Sequence, residues 1–261
     1  MHLTAFDPAV LAVPALVSPV VLTMALWAQR KAGPGAAGLV AALPFQLAIG
    51  AVGVALTMDL RTAADFGLAA ATYLPAQVAY ATAFAAGMRR GGVPLALVAG
   101  TATYGAVVAI AQAVDPAMAI AAGVIALGLG RRWVQPRAGQ APSERQPPAA
   151  LVIGVGTASV LVVVALAHAG GPTAGAFLGA IPAIGTTLAI ALSRTRGREA
   201  GTETMAGTIR GLPSYFAFAI VLALLVERMG LVATCIIALV ASGAAATASW
   251  HLGASARREP R

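Results

Sequence analysis

Apolar residues run through this chain in long blocks, and the charged residues stand almost only between them. Nine blocks are bounded by charges or by Gly/Pro clusters: 9–29, 37–58, 65–88, 93–114, 116–130, 149–168, 172–193, 204–226 and 230–252. About 20 apolar residues are what an α-helix needs to cross about 30 Å of hydrocarbon. The pattern predicts an all-α integral membrane protein with nine transmembrane helices. The fifth block, 116–130, rises only about 22 Å, so it must thin the bilayer or borrow flanking residues. Arg30 and Lys31 follow the first block rather than precede it. That block reads as a retained span with its N-terminus outside, not as a cleaved leader.

The blocks are not independent. The second half of the chain repeats the first at one constant offset, the one that carries Gly33 to Gly171. Gly33-Pro34 recurs as Gly171-Pro172, Pro44 as Pro182, Leu74-Pro75 as Leu212-Pro213, Gly92 as Gly230 and Gly105 as Gly243. Asp65 recurs as Glu203, and Arg90 as Arg228. Residues 1–114 form repeat one with spans 1–4. Residues 115–148 hold the unmatched span 5 and a polar loop, and residues 149–261 form repeat two with spans 6–9. An odd span between the copies makes the second enter from the opposite side, which predicts a 4+1+4 inverted-topology repeat. Residues 13–110 are expected to superpose on 151–248.

Composition agrees with the class. The chain is 59% hydrophobic and 10% charged, with a mean hydropathy of +0.84; a soluble domain carries about 25% charged residues. The net charge of +8 is no nucleic-acid signal, because its sources sit in short loops. With the N-terminus outside, the cytoplasmic segments hold Arg30, Lys31, Arg89, Arg90, Arg131, Arg132, Arg137, Arg145, Arg194, Arg196, Arg198, Arg257, Arg258 and Arg261. These are 14 of the 17 basic residues, and the outer loops keep only Arg61 and Arg228. The excess predicts an inner-membrane protein with its C-terminus inside. Cys235, the one cysteine, lies in an apolar run and reads as a small core residue. The stretch 131–148 is rich in Pro, Arg and Gln. It joins the halves, and its arginines also suit anionic lipid headgroups.

Prolines point to the place where function would sit. Pro44 and Pro182 fall mid-span in the second helix of each repeat, and Pro75 and Pro213 mid-span in the third. Each removes a backbone donor and frees a carbonyl one turn upstream. Matched helix breaks near the bilayer middle mark binding sites in inverted-repeat transporters, and packing kinks are the plainer reading. Polar side chains gather beside them: Gln46, Tyr73, Gln77 and Tyr80 in repeat one, Thr186, Ser214 and Tyr215 in repeat two. Tyr73, Gln77 and Tyr80 share a helix face. They either line a polar cavity or satisfy neighbouring backbone.

Arg210 is the one basic residue well inside a span, three residues before Pro213. It either clamps a phosphate or carboxylate through its planar fork or snorkels to the cytoplasmic interface. Asp65 and Glu203 fall at opposite faces, as helix N-terminal acids or as gate residues. No carboxylate lies mid-span, no metal-ligand cluster appears, and no nucleotide or hydrolase motif is present. The expectation is no cofactor, no metal and no enzymatic activity. Gly175-xxx-Gly179 and Gly207-xxx-Gly211 have the spacing that lets helices approach closely.

The run Ala174–Pro182 (AGAFLGAIP), the basic loop after span 7 and Gly211-Leu212-Pro213-Ser214-Tyr215-Phe216 resemble the GlpM-like family of small four-span bacterial membrane proteins. In the first half, AAGLVAALP at 36–44 is similar, and Tyr73-Leu74-Pro75 departs from the Pro-Ser-Tyr order. The resemblance covers the larger part of each half. It implies an envelope role connected with exopolysaccharide production and no particular mechanism. Two functions are carried forward. One is transport of a small or lipid-linked solute, anionic if Arg210 clamps it. The other is a non-transporting accessory subunit of an envelope polysaccharide or lipid pathway. Membrane lipids are partners in either case.

Overall fold

The structure is a computed structural model that describes residues 8–134 and 146–255. The described residues are 92% helical and include no strand. The elements are α1 (Pro8–Ala32), α2 (Pro34–Ala41), α3 (Phe45–Thr57), α4 (Leu60–Thr72), α5 (Leu74–Ala113), α6 (Pro116–Trp133), α7 (Ala149–Gly179), α8 (Ala183–Arg196), α9 (Arg198–Met229) and α10 (Leu231–Ser255). Four stretches are long and apolar enough to cross a membrane: Pro34–Leu56, Leu74–Ala113, Arg198–Met229 and Leu231–His251. Arg137, Arg257, Arg258, Arg261, Arg145 and the N-terminal end lie outside the described residues.

The second predicted span is two helices, α2 and α3, parted at Pro44. Around it Phe45 donates to the carbonyl of Leu43 at 2.8 Å, and α3 resumes with Ala48 donating to Pro44 at 2.8 Å. The same turn recurs at the repeat offset. Ala183 donates to Ile181 at 2.7 Å and Thr186 to Pro182 at 2.8 Å, with φ −77° at Pro44 and −76° at Pro182. A proline with fixed φ and no N–H closes a three-residue turn where the helical bond is missing.

Gly92 and Gly230 also match. Both have φ 75°, the left-handed region, which costs a glycine nothing and other residues strain. Gly92 turns α5 back on itself, so that Gly87 packs against Ala96. Gly230 ends α9 before α10. The helix over the predicted fifth span, α6, extends through Arg131, Arg132 and Trp133 to about 27 Å, and it is not one of the four stretches apolar enough to cross a membrane.

Two expectations fail. Pro213 does not break its helix: α9 runs unbroken from Arg198 to Met229. Its partner Pro75 follows only a kink at Tyr73 (φ −88°, ψ 3°). Pro213 frees the carbonyl of Ile209. On the following two carbonyls Arg131 Nη2 approaches that of Arg210 at 3.5 Å and Ser214 Oγ donates to that of Gly211 at 2.7 Å. The expected turn at Gly171-Pro172 also falls inside one helical element, α7.

The middle of the molecule is a crossing of two rods. One is α4 with the first half of α5; the other is α9. Gly67 faces Leu222 at one end, and Gly201 faces Met88 at the other. The rods therefore run antiparallel and cross near Pro75 and Pro213. Phe84, Met88, Met205, Phe218 and Leu222 are fully buried around the crossing. α2 lies along α9 at backbone contact: a Cβ on Gly38 would overlap the carbonyl of Thr204, and one on Gly207 that of Gly35. The spacing Gly207-xxx-Gly211 thus serves a helix crossing. Gly175 and Gly179 fall where no side-chain surroundings are described. α6 packs across the crossing, with Gly123 on Leu74 and Pro75 and Gly130 on Val78.

Candidate functional site

A cavity of about 20 Å³ opens where the two helix breaks meet the rod crossing. Half of its lining falls in pairs related by the repeat offset: Ala42 with Ala180, Leu43 with Ile181, and Gln77 with Tyr215. Ala41, Gln46, Leu47, Pro182, Thr208 and Leu212 line the rest without an offset partner there. About 10–15 Å³ of such space holds one water molecule, so the cavity has room for about one.

Two of its polar groups stand out. Gln77 and Tyr215 are 3% and 6% exposed, and neither the Gln77 amide nitrogen nor the Tyr215 hydroxyl has a hydrogen-bond partner of good geometry. The two groups are close enough to interact with one another across the crossing. A buried polar group without a partner costs about 1–3 kcal/mol. Such groups persist where a ligand or water supplies the missing bond. Among the described residues, no charged side chain lines the cavity.

The structure sorts the sequence candidates. Gln46, Gln77, Tyr215 and Pro182 line the cavity. Tyr73 points elsewhere, its hydroxyl accepting from Gln112 Nε2 at 3.3 Å. Thr186 pairs with the Tyr80 hydroxyl at 2.9 Å. Ser214 is consumed within α9, and its carbonyl accepts from Ser242 Oγ at 2.9 Å. Arg210 is half-buried and does not line the cavity; its neighbour is Arg131. Asp65 is exposed on α4. Glu203 lies at the N-terminus of α2, where a Cβ on Gly35 would come 3.4 Å from its Oε1. There a carboxylate meets the positive end of the helix dipole. Leu43 and Ile181 carry no polar or proline signal of their own in sequence, and only the offset links them; Thr208 is polar, but its offset counterpart Ala70 does not line the cavity.

The basic segments meet at one end of the molecule. Arg89 Nε lies 3.5 Å from Glu199 Oε1. Gly92 packs beside the Arg198 guanidinium. The Gln29 amide, in its better-bonded orientation, accepts from Arg196 and donates to Gln146. All three tryptophans are exposed near this end: Trp27 two residues from Gln29, Trp133 two from Arg131, and Trp250 beside Ser249. Among the described residues no group of three His, Cys, Asp or Glu could hold a metal. No family model, curated protein or solved structure matches the chain.

Proposed function

We propose that the chain is a bacterial inner-membrane transporter of two inverted four-span repeats joined by α6, carrying a small polar solute by alternating access. The carrying observation is the cavity. Three offset-related pairs, Ala42/Ala180, Leu43/Ile181 and Gln77/Tyr215, make half of its walls, which supports an axis relating the repeats passing near it. Two buried polar groups, Gln77 and Tyr215, close to one another, face it, and both helix breaks open into it. The antiparallel rods and the repeated proline turn support the inversion. The basic end with its three tryptophans suits the cytoplasmic interface. The uncharged walls favour an uncharged solute over an anion.

A charge pattern supports the alternation. The inner pair Arg89–Glu199 has offset partners Glu227 and Arg61, a pair of reversed sign. Arg61 and Glu227 are exposed, on the rod ends beyond Gly67 and Leu222. The structure then corresponds to a state latched at the basic end.

The test is two-sided labelling. In a Cys235→Ala background, Gln77→Cys in oriented vesicles should react with a membrane-impermeant thiol reagent from either side, more slowly than surface cysteines. Reaction from neither side would refute alternating access. It would favour the accessory-subunit reading, which the backbone-close packing of α2 on α9 and the GlpM-like resemblance support.

A further inference from the structure

We infer that the junction of α6, α9 and α10 at the basic end is a phosphate-binding site that takes the headgroup of an anionic membrane lipid. The site is built on Arg131. Its guanidinium is half-buried between three helices. Nη2 donates to Ser249 Oγ of α10 at 3.1 Å and approaches the carbonyl of Arg210 of α9 at 3.5 Å. Its Nε is buried and has no partner. No ion pair joins Arg131 to a carboxylate among the described residues.

A guanidinium carries five donors in a fixed fork. Here part of the fork is fixed by protein oxygens, and a buried donor is left without an acceptor. The missing partner is an anionic oxygen, and phosphate presents several in the geometry a guanidinium matches. Arg210 lends its backbone carbonyl to the junction, and Arg132, next along α6, is exposed and stands outside it. Trp133 and Trp250, 72% and 47% exposed, flank the arginines. Tryptophan at this level sits among headgroups. Basic pockets between spans on the cytoplasmic side suit anionic lipid heads. The junction is separate from the cavity, which neither Arg131 nor Arg210 lines. α6 has no counterpart in the repeat, and the site exists on one face only. It depends on membrane residence and not on transport; failure here leaves the cavity reading standing.

The experiment is native mass spectrometry of the full chain in detergent, with phosphatidylglycerol, phosphatidylcholine or inorganic phosphate added in turn. Phosphatidylglycerol should be retained in preference to phosphatidylcholine. Arg131→Gln should weaken that retention about fivefold, as expected for one arginine near an anionic lipid. Arg131→Lys keeps the charge, guards against misfolding, and should fall between the two. Arg132→Gln should change little. Equal retention of both lipids, or undiminished phosphatidylglycerol in Arg131→Gln, overturns the site. Displacement of the lipid by millimolar inorganic phosphate overturns the lipid assignment.

Discussion

Removing the inner latch should open the cavity to the cytoplasm. Arg89 and Glu199 approach to 3.5 Å with side chains 23% and 28% exposed. Their gross attraction is about 5 kcal/mol at an effective dielectric of about 20. Desolvation and side-chain ordering cancel most of it, which leaves about 1 kcal/mol. That corresponds to about a fivefold change in population. Arg89→Ala or Glu199→Ala should therefore raise the labelling rate of Gln77→Cys from the basic side about fivefold and slow it from the other. The double alanine variant should do little more than either single, because the pair acts as a unit. Exchanging the charges, Arg89→Glu with Glu199→Arg, should restore the original rates. Arg61→Ala and Glu227→Ala should act in the opposite sense. Strictly additive effects of the two alanines, or unchanged rates from both sides, would refute the reasoning.

Gly38→Ala would drive a methyl into the backbone of Thr204, and should cost about 3 kcal/mol or more, read as a lower melting temperature in detergent. Gly243→Ala meets nothing within 4 Å and should stay within about 1 kcal/mol of the parent. Asp59 caps α4 by accepting from Thr62 N at 2.6 Å, and hydrogen bonds from Thr62 hold its carboxyl below its usual 3.8. A depressed folded pKa means the stabilisation is present above the unfolded value and lost as pH falls through the folded one. Asp59→Asn should therefore remove a stability loss seen below about pH 4, checked by melting against pH. Single cysteines at Asp115 and Gln140 should label from opposite sides in intact cells; labelling of position 140 from outside would reverse the proposed orientation.

The helix breaks at Pro44 and Pro182 and the turns at Gly92 and Gly230 were legible, because proline and glycine act on their own backbone wherever they stand. Pro213 was not: α9 runs on through it, and whether a proline breaks or only bends its helix depends on what packs around it. Side-chain destinations were equally hidden. Tyr73, Gln77 and Tyr80 share a face in sequence, yet their partners are Gln112, the cavity and Thr186. Arg131 meets Ser249 across 118 residues, a pairing no local spacing announces. The latch was within reach, since the offset that links Arg89 with Glu227 links Arg61 with Glu199.

The central claim is that two copies of one unit face opposite ways around the cavity. An experimental structure in a lipid nanodisc tests it, because the bilayer then defines the normal. Residues 45–113 should superpose on 183–251 by a two-fold axis in the membrane plane, passing between Pro75 and Pro213 and through the space between Gln77 and Tyr215. An axis along the membrane normal, or no superposition of these segments, would contradict the account.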